Sequence, residues 1–597
     1  MTTVPQEPGG WWHDFVCPTH GTELAGRDGE AFFGACGCTL TGQKFHGAWL
    51  ALEHQEIARA ARHHARRFTT HGDHGDRAAA VEILRTYGAL YSRIEAEGWS
   101  ESSEPWMLRG KLFAQALSEA QWAVGIADAV AELASVPEVG QSTSIRAMLA
   151  GVMRTMVDAR HTLVVERGDH RNNYTAWLDA AIRLVALAQH ALGEPEPERH
   201  TLTALYEHVN AAVMDDGWEW EASTYYHLFV LRAYLLTLRG TDPADLPADV
   251  ERRLRGMVDV FAVLAGPDGR LPVLHDGPYD RLPMQREVLE VVTLANQFWD
   301  STGLEPVERF ARTAIGDRDD GLEAMLDGWF AGQPRGGAAA ARGFHHFADA
   351  GYVVLSDQAA GLHAVLDAGP HGGAHGHFDK LSLYLYGDGA AWQPAPGVPP
   401  YGSPLRHGYY ASSQAHPTVR IDGQEQQEGT GRVTTWRPQD GLVVAETADA
   451  IAGAIVRRAL LLADGVLIDV LRVECADGDD HDIALGLRPA CDLAIGCVDG
   501  GWTTHWTTAE GTLLSGSHRA SAGATLQARP VRGPSDNPAR TLMGADWLVR
   551  GASAFFVTAW TVGRPSVTVT DATQVDGAVL ITLATPDTFP TTHEVPL

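Results

Sequence analysis

The hydrophobic grammar of this chain changes once, at the stretch Gly332-Gln-Pro-Arg-Gly-Gly-Ala-Ala-Ala-Ala341. Before it, apolar residues recur at intervals of three and four, as in Trp177, Ala181, Leu184, Ala188 and Ala191, or Tyr226, Phe229, Ala233 and Leu236. That is the period of an amphipathic helix. After it come short runs rich in Val, Leu, Ile and Thr, such as 351–356, 361–368, 441–448 and 554–562, separated by Gly, Asp and Pro. Those read as antiparallel strands. A chain of 597 residues exceeds one ordinary core. The expected order is an N-terminal Cys/His segment over 1–46, a helical domain over 47–330, a linker over 331–343 and an antiparallel β-domain over 344–597.

The formal net charge of −29 excludes nucleic acid and anionic membrane as partners of the general surface. An anionic ligand would need a locally cationic cleft. Arginine supplies nearly all the positive charge, with lysine only at Lys44, Lys111 and Lys380; its planar fork suits carboxylate and sulfate. The opening residues Met1 to Trp12 lack a basic stretch followed by an apolar one, and no run approaches the roughly 18 apolar residues of a membrane span. These features predict a cytoplasmic protein. Composition leaves homo-oligomerisation open.

Six cysteines in a chain this long do not make a disulfide scaffold. Cys17, His20, Cys36 and Cys38 cluster as C-x2-H, a gap, then C-x-C. Four soft or borderline ligands in one short segment predict a structural zinc site, the alternative being free thiols in a small core.

The densest chemistry lies in His371-Gly-Gly-Ala-His375-Gly-His377-Phe378-Asp379-Lys380. Glycines allow tight turning and close approach to a ligand. Histidine titrates in the range useful for proton transfer. The alternating run Leu381 to Tyr386 behind it predicts a strand that holds the loop on a rigid sheet. Two earlier segments carry compatible groups, Arg167-Gly-Asp-His-Arg171-Asn172-Asn173-Tyr174 and Trp218-Glu-Trp-Glu221-Ala-Ser223-Thr-Tyr225-Tyr226-His227. A fourth runs from Tyr401 through Arg406 to Ala415-His416-Pro-Thr-Val419 and Asp422-Gly423. These are expected to meet in one cleft.

Together, His375-Gly-His377-Phe-Asp379, Glu221-x-Ser223-x-x-Tyr226-His227 and Ala415-His416-x-Thr-Val419 resemble the heparinase II/III-like polysaccharide lyases, a superfamily that includes exo-acting oligoalginate lyases. The resemblance covers most of the chain. It implies an incomplete (α/α) toroid followed by an antiparallel β-sandwich, with the active cleft between them. It implies β-elimination on a uronate-containing oligo- or polysaccharide. A base removes the proton at C5, fixed donors neutralise the neighbouring carboxylate, and an acid protonates the departing 4-linked oxygen. Tyr226 matches the family's catalytic tyrosine and His375 the histidine that acts as base or assists. Asn172 or Asn173 falls where the family neutralises the carboxylate. Arg171, Tyr174, Glu221, His227, His275, Arg281, His377, Tyr401, Arg406 and His416 are the expected substrate-binding residues.

Two departures stand out. Tyr174 replaces the family's frequent histidine after the Asn pair. Some members hold a zinc ion through the second loop His, a downstream Asp and the Ala-His histidine; here His377 and His416 match, but the Asp position falls on Ala395. A full C-terminal metal set is therefore not expected, and no organic cofactor is.

Several alternatives stay open in the sequence. Only one of the helical neighbours Tyr225 and Tyr226 is expected to face the cleft. The Asn pair also reads as a helix N-cap, and His275-Asp276-Gly277-Pro278 as a turn. Glu221 reads as a partner for His or Arg, or as a solvated carboxylate. A glycoside hydrolase would need two carboxylates flanking a sugar, with Glu221 and Asp379 as candidates; a carbohydrate-binding protein without activity would need none.

Overall fold

The computed structural model describes residues 3–94, 105–195, 200–318, 321–563, 567–585 and 590–597. Its first feature is a small antiparallel ribbon of β1 (Leu24–Asp28), β2 (Ala31–Gly34) and β3 (Thr39–Leu40). Helices follow: α1 (Gln43–His71), α2 (His74–Arg93), α3 (Ala116–Glu132), α4 (Thr143–Arg160), α5 (Asn173–Ala191), α6 (His200–Ala212), α7 (Thr224–Thr237), α8 (Ala248–Leu264), α9 (Leu282–Phe298), α10 (Glu305–Ile315) and the short α11 (Leu322–Leu326).

The helices form a double layer. The inner helices pack in succession, α1 on α3, α3 on α5, α5 on α7 and α7 on α9, and α11 touches both α9 and α1, so the contacts return to their start. The outer helices α2, α4, α6, α8 and α10 lie against this inner course. One continuous core runs between the layers, with Trp122, Trp177, Trp299 and Tyr234 among its largest members. The helical period of the sequence is thus spent on two-sided burial of the inner helices.

The β-region is antiparallel throughout its paired strands. A five-stranded sheet of β4 (His345–His346), β5 (Tyr352–Asp357), β6 (Leu362–Asp367), β7 (Leu383–Gly387) and β8 (Ala390–Gln393) leads it. An eight-stranded and a four-stranded sheet share its core, through residues such as Leu460, Leu471, Trp547 and Trp560. Alternation along β7 shows how the sheet joins the two halves. Leu383 and Leu385 enter the core between sheets, while Tyr384 and Tyr386 enter a second core with Trp218, Val260 and Leu264 of the helical half. This strand, buried on both faces, packs the β-region against the helical half. Outside this first sheet the sequence does not distinguish eight strands of the β-region, among them 492–498, 525–532 and 541–551, whose mixed burial weakens the period-two signal.

No helix among the described residues is long and apolar enough to cross a membrane.

Candidate active site

A cavity of about 1120 Å³ lies where the helical layer, the N-terminal segment and the β-region meet. Its wall includes Asn172, Asn173, Tyr174, Glu221, Tyr225, Tyr226, Arg281, His375, Tyr401 and Arg406. Seven arginines line it against six carboxylates, in a molecule whose surface as a whole is strongly acidic. The cleft is thus far less negative than its surroundings, as an anionic ligand requires.

Helix α7 delivers the tyrosines. Ser223 caps it, accepting from Tyr226 N at 3.3 Å while its hydroxyl donates to the Asp276 carbonyl at 2.6 Å. This ties the helix start to the 275–277 turn and aims Tyr226 into the cavity. The Tyr226 and Tyr401 hydroxyls are 2.8 Å apart. Burial pushes the Tyr226 phenol well above its ordinary range, and the bond to Tyr401 only partly offsets this. Tyr226 therefore holds its proton at neutral pH and is suited to be an acid.

The ring of Tyr226 stacks on His375, with centroids 3.7 Å apart. Glu221 Oε1 lies 2.7 Å from His375 Nδ1. With Nδ1 donating to that carboxylate, Nε2 keeps its lone pair for a substrate proton. The loop reaches this position through Gly372, at φ +86°, where an added Cβ would come within 2.5 Å of the Glu221 carbonyl. Glycine is required there both for its dihedral and for close approach.

Arg406 lies over the Tyr401 ring, 3.7 Å from its centroid, and its Nε donates to Asp276 Oδ2 at 3.0 Å. Burial opposes ionisation of Asp276, but the hydrogen bond from His377 and the Arg406 charge hold its carboxyl well below the usual range. The guanidinium is therefore fixed in a buried ion pair and presents its face to the tyrosine.

The structure separates the paired asparagines. Asn172 is the N-cap of α5; its Oδ1 accepts from Tyr174 N at 3.0 Å and its Nδ2 donates to Asp169 at 2.8 Å. Its amide is spent on the fold. Asn173 borders the cavity, and its buried Oδ1 has no hydrogen-bond partner. Tyr174 is held by Gln115 through its hydroxyl.

Five expected substrate contacts do not reach the cavity wall. His227 is buried in the helical core between Glu219 N and the Met257 carbonyl, because the residue after Tyr226 on a helix points about 100° away. Arg171 lies outside the wall, over the Trp220 ring at 4.5 Å. His275 is enclosed beneath the loop, 3.6 Å from Asp367 and 3.8 Å from Asp379. His377 bridges Asp276 at 3.0 Å and His416 at 3.2 Å. His416 also meets Tyr384 at 2.9 Å, and burial lowers its pKa to about 3. These histidines form the floor that supports the loop. The expectation that Tyr225 and Tyr226 exclude each other also fails, since both border the cavity.

The pairing of His377 and His416 with an acid raises the question of a metal. The acid beside them is Asp379, from the same loop, with all three ligand atoms within 4.8 Å; Ala395 is buried in the core joining the two halves. Both histidines and Asp379 Oδ2 are nevertheless hydrogen-bonded by protein, and Asp379 Oδ1, which has no hydrogen bond, faces an ammonium. Asp379 faces the Lys380 ammonium at 3.4 Å and accepts from Tyr384 at 2.8 Å, and the histidines meet Asp276, Tyr384 and the Tyr410 carbonyl. Lys380 already supplies the buried positive charge, so these residues do not fit a metal and no chemistry is routed through one.

Sequence reading missed the contribution of the first residues. Trp11, Trp12 and His13 line the cavity. His13 stacks on Tyr401 at 4.3 Å, and its Nδ1 accepts from Tyr401 N at 3.1 Å. Arg281 lies over Trp12 at 4.6 Å and donates to both Glu23 oxygens, at 3.0 and 2.9 Å from Nε. The adjacent aromatics Trp11-Trp12 were the available signal. The Arg232, Glu287 and Glu290 network on the far wall carried none.

Comparison with known proteins accords with this architecture. A family profile described as "Heparinase II/III-like, C-terminal" matches residues 339–572, and one described as "Heparinase II/III N-terminus" matches residues 196–300. Together these regions span more than half of the chain, which belongs to the heparinase II/III-like superfamily of polysaccharide lyases. No curated protein sequence matches it. Among solved structures it is similar to a heparinase III gene product at 13% identity and a TM-score of 0.63, over 92% of this chain and 85% of that one. It is also similar to a protein titled heparinase III at 15% identity and a TM-score of 0.61, over 93% and 83%. A mutant of the heparan sulfate lyase HepC from Pedobacter heparinus aligns at 16% identity and a TM-score of 0.59, over 93% and 82%. At these identities the structures establish a shared fold.

Proposed function

We propose that this protein cleaves a uronate-containing glycan by β-elimination, acting on oligosaccharides, with glycosaminoglycan fragments the first class to test. The observation that carries the reading is the Tyr226–Tyr401 hydroxyl pair at 2.8 Å beside a histidine oriented by Glu221. His375 Nε2 takes the C5 proton. The C4–C5 double bond forms as the C4–O bond breaks, and Tyr226 gives its proton to the departing oxygen, with Tyr401 hydrogen-bonded behind it. Asn173 donates from its Nδ2 to the uronate carboxylate and so stabilises the charge that develops as C5 loses its proton, leaving its buried Oδ1 to accept from a sugar hydroxyl. Glu221 is a positioning residue. The names of the structural neighbours, heparinase III and heparan sulfate lyase, favour the glycosaminoglycan class over alginate.

A hydrolase is disfavoured by the site. Glu221 is engaged by His375, and Asp379 lies below the cavity, paired with Lys380. Heparan sulfate, chondroitin, hyaluronan and alginate oligomers should each be incubated with the protein. A rise in near-UV absorbance from a C4–C5 double bond supports the lyase. New reducing ends without that absorbance identify a hydrolase, and binding without either identifies an inactive carbohydrate-binding protein.

A further inference from the structure

The lyase chemistry leaves one group of reactive side chains unused, in the N-terminal segment. Cys17 and His20 lie in one turn, and Cys36 and Cys38 flank Gly37 between β2 and β3. Gly37 has φ +77°, a reversal that brings its two cysteine neighbours to the same side. One ligand atom from each of the four residues lies within 4.8 Å of all the others. His20 Nδ1 is 3.6 Å from Cys17 Sγ and 3.4 Å from Cys38 Sγ. A tetrahedral zinc ion, with Zn–S of about 2.3 Å and Zn–N of about 2.0 Å, places sulfur and nitrogen ligands about 3.5 Å apart. Three thiolates and an imidazole, with no carboxylate, select a borderline-soft ion and reject calcium or magnesium.

We propose that Cys17, His20, Cys36 and Cys38 bind one zinc ion in a closed structural site, and that this ion holds one wall of the active cavity in place. The surrounding core is small, with Phe15, Cys17, Leu24, Phe32 and Ala48 buried and residues such as Phe45 and Trp49 packed against them, and small cores of this kind commonly gain stability from a bound metal. From it the chain reaches the site in two places. His13 stacks on Tyr401 and its carbonyl accepts from Gly402 N at 3.1 Å. Glu23 clamps Arg281. The zinc is a positioning element and touches no reacting atom.

The test uses the full chain, purified without chelator, with metal measured by mass spectrometry. The expected result is one zinc per chain, falling at least tenfold in Cys36→Ser and unchanged in Cys491→Ser, which lies outside the cluster. Should Cys36→Ser fail to fold, titrating the folded wild type with a mercurial thiol reagent and a zinc-sensitive dye provides the second measurement: release of one zinc supports the site. Metal removal should also expose the first 40 or so residues to protease while the β-region stays resistant. Folded wild type with no stoichiometric zinc, an intact mass showing a disulfide within the cluster, or full zinc in a folded Cys36→Ser would each overturn the proposal. Equal protease resistance with and without zinc would overturn its positioning role. None of these measurements depends on the substrate or on lyase activity.

Discussion

The hydroxyls of Tyr226 and Tyr401 meet at 2.8 Å although 175 residues separate them in sequence. One comes from the first turn of a helix in the first half of the chain, the other from a loop of the β-region. Their contact exists only when the two halves dock, so proton donation to the leaving oxygen depends on the interface that buries Trp218 against Tyr352 and Tyr384.

Removing the Tyr226 hydroxyl tests this pair directly. Tyr226→Phe keeps the ring that stacks on His375 but loses the transferable proton, and kcat should fall by on the order of 10² to 10⁴. KM and the circular dichroism spectrum should change little. Tyr225→Phe, on the neighbouring wall, should retain activity within about tenfold. Initial rates of near-UV absorbance measure both; a Tyr226→Phe enzyme near wild-type rates would remove it from the mechanism.

The two asparagines should separate stability from catalysis. Asn172→Ala deletes a helix cap, which costs about 1 kcal/mol and lowers Tm with little change in kcat. Asn173→Ala should leave Tm nearly unchanged and lower kcat/KM by about 10²-fold, since it loses a donor to developing charge. Thermal melts and kinetics on both variants decide the matter. The reverse pattern would show that Asn172, not Asn173, meets the substrate.

Much of this site was legible in the residues themselves. The alternation of Leu383, Tyr384, Leu385 and Tyr386 marked a strand, and the glycine and histidine content of 371–380 marked the loop in front of it. The direction of each side chain was not legible. His377 and His416 share the residue type of His375 yet lie beneath it, because their orientation depends on Asp276 and Tyr384, which approach only in the folded chain. The same holds for the first residues. His13 reaches Tyr401 across 388 positions, and no local period encodes so distant a contact.

Acid should weaken the fold through its buried histidines. Burial lowers His54, His208, His227 and His363 to about 4, and His416 and His518 to about 3. In the unfolded chain they titrate near 6.5. Their folded values are depressed, so the stability they contribute is complete above about pH 6.5 and is lost as pH falls toward 4 and then 3. Tm should therefore drop steadily from about pH 7 to pH 5. His363 Nε2 lies 3.0 Å from the Leu264 carbonyl, and His363→Gln keeps a donor there without a titrating ring. Its stability should fall less steeply over that interval, by up to about 1.4 kcal/mol per pH unit. An unchanged slope would mean that His363 is already charged in the fold.

The loop histidines give the sharpest comparison. His371 and His375 both border the cavity, four residues apart on one glycine-rich loop. His375 is joined to Glu221 and stacked on Tyr226. His371 stacks only on Phe378, with centroids 5.1 Å apart. General damage to the loop would therefore affect both variants alike, whereas loss of the base affects one. His375→Ala should lower kcat by on the order of 10² to 10⁴, with His371→Ala within about tenfold of wild type. Glu221→Gln should fall between them, about 10²-fold down, since it leaves the imidazole present but no longer held in one orientation. Added imidazole should recover part of the His375→Ala activity by occupying the vacated space, and should do nothing for Glu221→Gln or Tyr226→Phe. Kinetics of the four variants with and without imidazole test the assignment. Equal losses at 371 and 375, with no recovery at 375, would make the loop a scaffold and move the base elsewhere in the cavity.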